Sequence, residues 1–318
     1  MRQFTSAIGY SLQQAMITFS AIAHTSFESI AALQERLNSP ESLNQSYVTM
    51  WWARNNSNLI YVVKNKYNDD YVITVRGPDF RFGPSLLLDL YKSLDISHQV
   101  SMPYSRLGNS KIASGILNAV QDIGELACNG ITLNSLVNNF PEKAKVYITG
   151  YSLGGAIGSA LSAKYACSNS RKLKLIPYTF GAPSIGNNSF SDLFDDHHSN
   201  CLFPESSRCV NRLDIIPYAW TNLRGIPAIY HENIKSPVEF TQSVERIDSS
   251  LVVSGLFYAQ PPSQLELKGE IEYKGSFMAE AMYQHDLNTY LSLLSLSPVN
   301  SAAFSLLGQH ENAMASSL

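Results

Sequence analysis

Apolar residues at Ile8, Leu12, Met16, Phe19, Ile22, Phe27, Ile30 and Leu33 recur at spacings that place them on one helical face. They predict an amphipathic N-terminal helix within residues 1–40, ended by Asn38-Ser39-Pro40. Three runs rich in β-branched and aromatic residues follow, Tyr47 to Ala53, Leu59 to Val63 and Tyr71 to Val75, separated by Asn-, Ser- and Asp-rich turns. These predict an antiparallel meander. From Ser114 onward, longer helical stretches alternate with short apolar runs at Val146 to Thr149, Leu175 to Phe180 and Arg208 to Val210. That alternation predicts a mostly parallel sheet covered by helices, hence an α/β fold. No repeat, low-complexity tract or dividing linker interrupts the chain, so residues 1–318 are expected to form one domain, with 298–318 a loosely attached tail.

Composition narrows the partners. Lys plus Arg is 23 and Asp plus Glu is 26, a net charge of −3, which gives a polyanion no electrostatic footing and argues against nucleic acid. Charged residues make up 15% of the chain against a usual value of about 25%, which implies a weakly charged surface. A chain this long buries roughly three quarters of its surface and needs no structural metal or disulfide scaffold. The four cysteines contain no C-x-x-C pair; Cys201 and Cys209 are read as two thiols, a bridge being the alternative. Residues 3–27 are uncharged, but Gln3, Ser6, Ser11, Gln13, Gln14, Thr18, Ser20 and His24 are too polar for a membrane span. A signal peptide ending near Ala21-Ile22-Ala23 is the weaker reading, because Gln13 and Gln14 interrupt its apolar stretch. Cytoplasmic and exported locations both stand.

The chemistry concentrates at Lys145 to Ala156, where an apolar strand runs into Gly150-Tyr151-Ser152-Leu153-Gly154 and then into a small-residue helix. Strand, G-x-S-x-G and helix together describe a nucleophile elbow, with Ser152 on a strained turn and Gly150 and Gly154 removing Cβ atoms that would clash. The helix directs its unpaired amides and positive dipole end at a reacting carbonyl, which makes the Leu153 N–H the first oxyanion donor. A serine hydroxyl needs a base and a carboxylate to act at neutral pH. In α/β-hydrolase order an acid and then a histidine follow the serine. His197 and His198 precede any acid strand and read as a solvated loop, and His310 falls in the tail. His231 and His285 remain, and position alone does not choose between them.

At this point the chain resembles the class 3 lipases, the fungal-lipase-like branch of the α/β-hydrolases. Val75-Arg76-Gly77 resembles the family's R-G strand end, Lys111 to Ile116 its K-V-H-x-G-F stretch, and Ile148 to Ala156 its nucleophile motif. Thr179 to Asn187 resembles its T-F-G-x-P-x-x-G-N stretch, and Val210 to Pro217 its N-x-x-D-I-V-P stretch. The resemblance covers about residues 70–290 and implies an α/β-hydrolase fold. It implies Asp214 as the acid of a triad. It implies His285 as the base, because His285 and Tyr290 match a late H-x-x-x-x-Y pattern at the head of a C-terminal helix, whereas Tyr230-His231 is similar to a non-catalytic strand.

Where the family places Ser or Thr after R-G, this chain has Pro78, which supplies neither N–H nor hydroxyl to the oxyanion hole. The Asp79 N–H is the expected replacement donor. Ala113 in place of the family's His is a second departure. The segment 78–106 falls where the family carries a mobile lid, with Phe80, Phe82, Leu86 and Leu87 expected to contact acyl chains or a lipid surface; a buried helix fits the same residues. The resemblance implies hydrolysis of acylglycerol or phospholipid esters through an acyl-enzyme on Ser152, with no cofactor and no metal. An acyltransferase using the same acyl-enzyme, and a catalytically weak or silent binding module, are the alternatives. Ser316-Ser317-Leu318 resembles a peroxisomal tail only loosely.

Overall fold

A computed structural model describes residues 11–25, 27–39, 43–78, 80, 82–168, 171–230, 234–262, 264–272 and 274–297. The expected tail at 298–318 lies outside them, as do Asp79 and His231.

The N-terminal segment is two helices rather than one. α1 spans Leu12–Ala23 and α2 spans Ile30–Leu37. The apolar periodicity carries across the gap, but the backbone does not. Ser29 caps α2 by accepting from the Ala32 N–H, and His24 closes α1 through the carbonyls of Ala21 and Ile22. The expected meander follows as β1 (Tyr47–Arg54), β2 (Leu59–Asn65) and β3 (Asp70–Arg76), paired antiparallel in sequence order.

Between β3 and the next strand of the main sheet the chain forms α3 (Leu86–Ser93), the small ladder of β4 (Gln99–Ser101) with β5 (Lys111–Ala113), and α4 (Ser114–Glu125). A two-residue hairpin, β6 (Ala127–Cys128) with β7 (Ile131–Thr132), and α5 (Leu133–Asn138) complete the crossover. The parallel half then reads β8 (Lys145–Tyr151), α6 (Leu153–Cys167), β9 (Lys174–Phe180), α7 (Asn188–Ser191) and β10 (Ser207–Asn211). It ends with α8 (Val238–Ser254), β11 (Gln264–Leu267), α9 (Phe277–His285) and α10 (Leu287–Leu293).

The sheet order is β1-β2-β3-β8-β9-β10-β11, parallel from β3 onward. This is the mostly parallel sheet with antiparallel meander that the apolar pattern predicts. Alternate residues of each strand face opposite layers. Ile60, Val62, Ile73, Val75, Val146 and Ile148 join one core with α3, α4, α6 and α8. Tyr61, Val63, Val72, Tyr147 and Ile176 join a second core with α1, α2 and α10. Both faces being covered explains why the strands read as nearly continuous apolar runs.

The register matters for function. Arg76 pairs with Tyr151, Tyr151 with Phe180, and Phe180 with Cys209. The loops that leave β3, β8, β9 and β10 therefore emerge side by side at one edge, where open α/β sheets hold their ligands.

Cys201 and Cys209 are both free thiols; Cys209 is buried on β10 and Cys201 lies against the Leu193 carbonyl. No helix among the described residues is long and apolar enough to cross a membrane.

Candidate active site

Ser152 joins β8 to α6 with φ 54° and ψ −126°, a backbone conformation that side chains of L-residues rarely adopt. Its N–H donates to the Phe180 carbonyl at 2.8 Å, and its carbonyl accepts from Gly155 and Ala156. The glycines on either side make the bend possible. A Cβ on Gly150 would run into the Gly154 backbone, and one on Gly154 would run into the Val75 carbonyl oxygen. α6 is buried on nearly every side, between the sheet and α4, so its N-terminal turn is held rigidly under Ser152. The amide of Leu153 precedes the intrahelical ladder and has no carbonyl one turn behind it.

Asp214 follows β10 and is completely buried. Its Oδ1 accepts from the Ile216 N–H at 2.9 Å; its Oδ2 lies 2.7 Å from His285 Nδ1 and accepts from Tyr290 Oη at 2.7 Å. His285 Nε2 lies 2.8 Å from Ser152 Oγ. Ser152, His285 and Asp214 are thus joined in one relay, while His231 lies outside the described residues.

His285 does not head a helix as the late motif implies. It is the last residue of α9, and extended backbone at Asp286 breaks the chain before α10, whose first turn Asp286 caps through the Asn288 N–H. The break turns the imidazole toward the sheet edge. It also sets the negative end of the α9 dipole beside the imidazole.

Residues that the sequence motifs left without a role surround the relay. Tyr290 accepts from the Asn211 N–H while donating to Asp214. Burial, and then the Asp214 charge, hold its phenol well above the usual tyrosine range, so it stays a donor. Tyr151 stacks on His285, ring centres 5.0 Å apart, and Phe82 approaches the imidazole at 5.5 Å. Behind α9, Asn211 donates to the carbonyl and side chain of Gln284, and Gln284 donates to the buried Glu280 carboxylate. Glu280 also accepts the N–H groups of Glu272 and Lys274. A signal for Tyr290 existed in its fixed distance from His285. Asn211 heads the N-x-x-D-I-V-P stretch, whereas Gln284 and Glu280 offered no signal, since isolated polar residues break no period.

At the other side of the elbow, Gly77 passes close to the first turn of α6. A Cβ there would sit 2.8 Å from the Leu153 Cβ and 3.0 Å from the Gly154 nitrogen. Pro78 follows at this point. Phe80 and Phe82 are half-buried against the core, and Leu86, Leu87 and Leu90 of α3 are fully buried in it, so α3 presents its leucines inward. The cavity lined by Arg106, Leu173, Leu175, Cys201 and Phe203 shares no residue with the relay. Among the described residues no group of three His, Cys, Asp or Glu side chains is arranged to hold a metal ion.

The family model for lipase (class 3) matches residues 72–223. Over this stretch, a little under half of the chain, the sequence is similar to the class 3 lipase family. The matched segment carries Ser152 and Asp214 and ends before His285. A lipase of Caenorhabditis elegans, ZK262.3, is 37% identical over 76 residues, which are 23% of this chain and 20% of that protein. The chain therefore matches about a fifth of the length of this curated relative. The crystal structure of M37 lipase, 24% identical, covers 94% of this chain and 99% of its own with a TM-score of 0.81, so the two share a fold. A lipase structure from Rhizopus microsporus var. chinensis is 18% identical over 65% of this chain and 67% of its own, with a TM-score of 0.45.

Proposed function

We propose that this chain is a class 3 lipase, a single α/β-hydrolase domain over 1–318, and that it hydrolyses carboxylic esters of lipids, acylglycerols or phospholipids, through an acyl-enzyme on Ser152. One observation carries the reading: a buried imidazole lies within hydrogen-bond distance of both a strained serine hydroxyl and a buried carboxylate. Ser152 Oγ gives its proton to His285 Nε2 as it attacks the ester carbonyl, and Asp214 holds the Nδ1 proton and stabilises the imidazolium. The Leu153 N–H receives the oxyanion that forms. Collapse of the tetrahedral adduct breaks the C–O bond, His285 returns the proton to the leaving alcohol, and the acyl group remains on Ser152. Water repeats the sequence and releases the fatty acid. Pro78 supplies no donor to the hole, and the Asp79 N–H is proposed to take that place.

The test is hydrolysis of a p-nitrophenyl ester series by wild type and Ser152→Ala. Turnover by wild type, lost in the variant at every chain length, is expected; equal turnover by both would remove the reading. The same series gives the acyl-chain preference.

Residues 78–106 are proposed as a lid with the half-buried Phe80 and Phe82 on its lipid-facing path, while Leu86 and Leu87, expected there from the sequence, pack into the core instead. The approach of Phe82 to His285 supports this, since the same ring that covers the base would have to move for substrate to enter. Replacing Phe80 and Phe82 together with serine is expected to lower activity on emulsified lipid more than on a short soluble ester. Equal losses on both substrates would show that these rings act only in packing.

A further inference from the structure

A buried cation stands beside the relay without a carboxylate in contact. Arg208 lies on β10, the strand that leads to Asp214, and is 6% exposed. All three of its recorded acceptors are neutral. One guanidinium nitrogen donates to Gln264 Oε1 at 2.8 Å on β11. The other donates both to the Ala182 carbonyl at 2.8 Å and to the Pro217 carbonyl at 3.2 Å. Among the described residues no ion pair joins it to an acid. Burying an arginine in this way is costly, and packing alone would be served by a neutral side chain.

The two carbonyls held by one nitrogen belong to the two ends of the relay. Ala182 lies in the turn after β9, whose last residue, Phe180, accepts the Ser152 N–H. Pro217 closes the turn that begins at Asp214 and whose Ile216 N–H binds the Asp214 carboxylate. A single atom thus fixes the distance between the turn beside the nucleophile and the turn that carries the acid. A planar fork suits this better than an ammonium.

We infer that Arg208 is a positioning residue for the proposed ester hydrolysis, fixing the Asp214 turn against the Ala182 turn and supplying the positive charge that balances the buried Asp214 carboxylate. The inference rests on the triad reading of Ser152, His285 and Asp214. The groups around Arg208 are Asp214, Tyr290, Tyr218 and Cys209, and those around His285 are Asp214, Tyr151, Phe82 and the neighbouring Asp286. Burial raises both tyrosines and the thiol beside Arg208, which leaves them neutral, so Asp214 is the charge it answers. Burial pulls Arg208 itself down to about 10, still charged at neutral pH.

With Arg208 and Asp214 both ionised the buried site is neutral, and protonating His285 would leave it positive. Arg208 therefore opposes the imidazolium by charge repulsion. Removing the charge makes protonation easier and moves the acid limb of activity to higher pH.

The test compares wild type, Arg208→Met and Arg208→Lys as kcat/KM against pH on a soluble p-nitrophenyl ester, per site titrated with an active-site phosphonate. Arg208→Met is expected to move the acid limb up by at least about half a pH unit and to lower the plateau about tenfold. Arg208→Lys keeps the charge but not the fork, so its limb stays with wild type while its plateau falls. An unmoved limb in Arg208→Met, or the same limb shift in both variants, overturns the inference. If Arg208→Met does not fold, Arg208→Lys decides alone: a lowered plateau on the wild-type limb supports it and an unchanged plateau overturns it. Ser152→Ala run in parallel separates the two claims, since activity surviving there removes the triad reading itself.

Discussion

His285→Ala is expected to lower kcat on a soluble ester by roughly 10⁶-fold, close to the loss produced by removing the serine itself, because members of such a relay act as a unit. The imidazole lies 2.8 Å from Ser152 Oγ, and among the described residues no other side chain hydrogen-bonds that hydroxyl. A residual rate above the uncatalysed reaction would remain, from substrate binding and the Leu153 amide. The measurement is kcat by initial rates, with thermal melting to check that α9 still docks. His285 is only 5% exposed, so a modest fall in melting temperature is expected beside the kinetic loss. A loss of less than about 10²-fold in a folded variant would mean that another group takes the proton.

Asp214→Asn is expected to cost about 10⁴-fold in kcat with little change in KM. The reason lies in the donors that converge on the carboxylate. His285 Nδ1, Tyr290 Oη and the Ile216 N–H all point at its two oxygens. An amide offers one oxygen and one NH₂, so one donor would meet another donor. The cheapest escape is for His285 to carry its proton on Nε2, where it can no longer accept one from Ser152. A kcat within tenfold of wild type would show that Asp214 only shapes the turn.

Much of this was legible in the chain because it rests on strong local signals. The runs at Tyr47, Leu59 and Tyr71 become β1, β2 and β3 with their cores split between two covering layers, and the sharp bend at Ser152 follows from the glycines that must flank it. The order of Ser152, Asp214 and His285 follows the family resemblance, and the geometry brings these three side chains together.

What was not legible has physical causes. The apolar spacing from Leu12 to Leu33 is the same for one helix or two, and only the caps at His24 and Ser29 divide it. β11 is Gln-Leu-Glu-Leu on the edge of the sheet, half polar and short, and it exists because β10 offers it a partner. Leu86, Leu87 and Leu90 fit a lipid-facing segment and a packed helix equally well in sequence, and the structure turns them into the core. Asn211, Gln284, Glu280 and Arg208 are polar residues whose burial no local pattern announces, and only their convergence in space shows them buried and satisfied.

The central claim is that Ser152 is a hydroxyl activated as a nucleophile, and covalent labelling reads this without reference to any substrate. Treating the protein with an alkyl p-nitrophenyl phosphonate and mapping the adduct by peptide mass spectrometry should give one modification, on the peptide containing Ser152, with activity lost in proportion to labelling and no labelling of His285→Ala. An unlabelled Ser152 in an active protein, or activity that survives complete labelling, would contradict it.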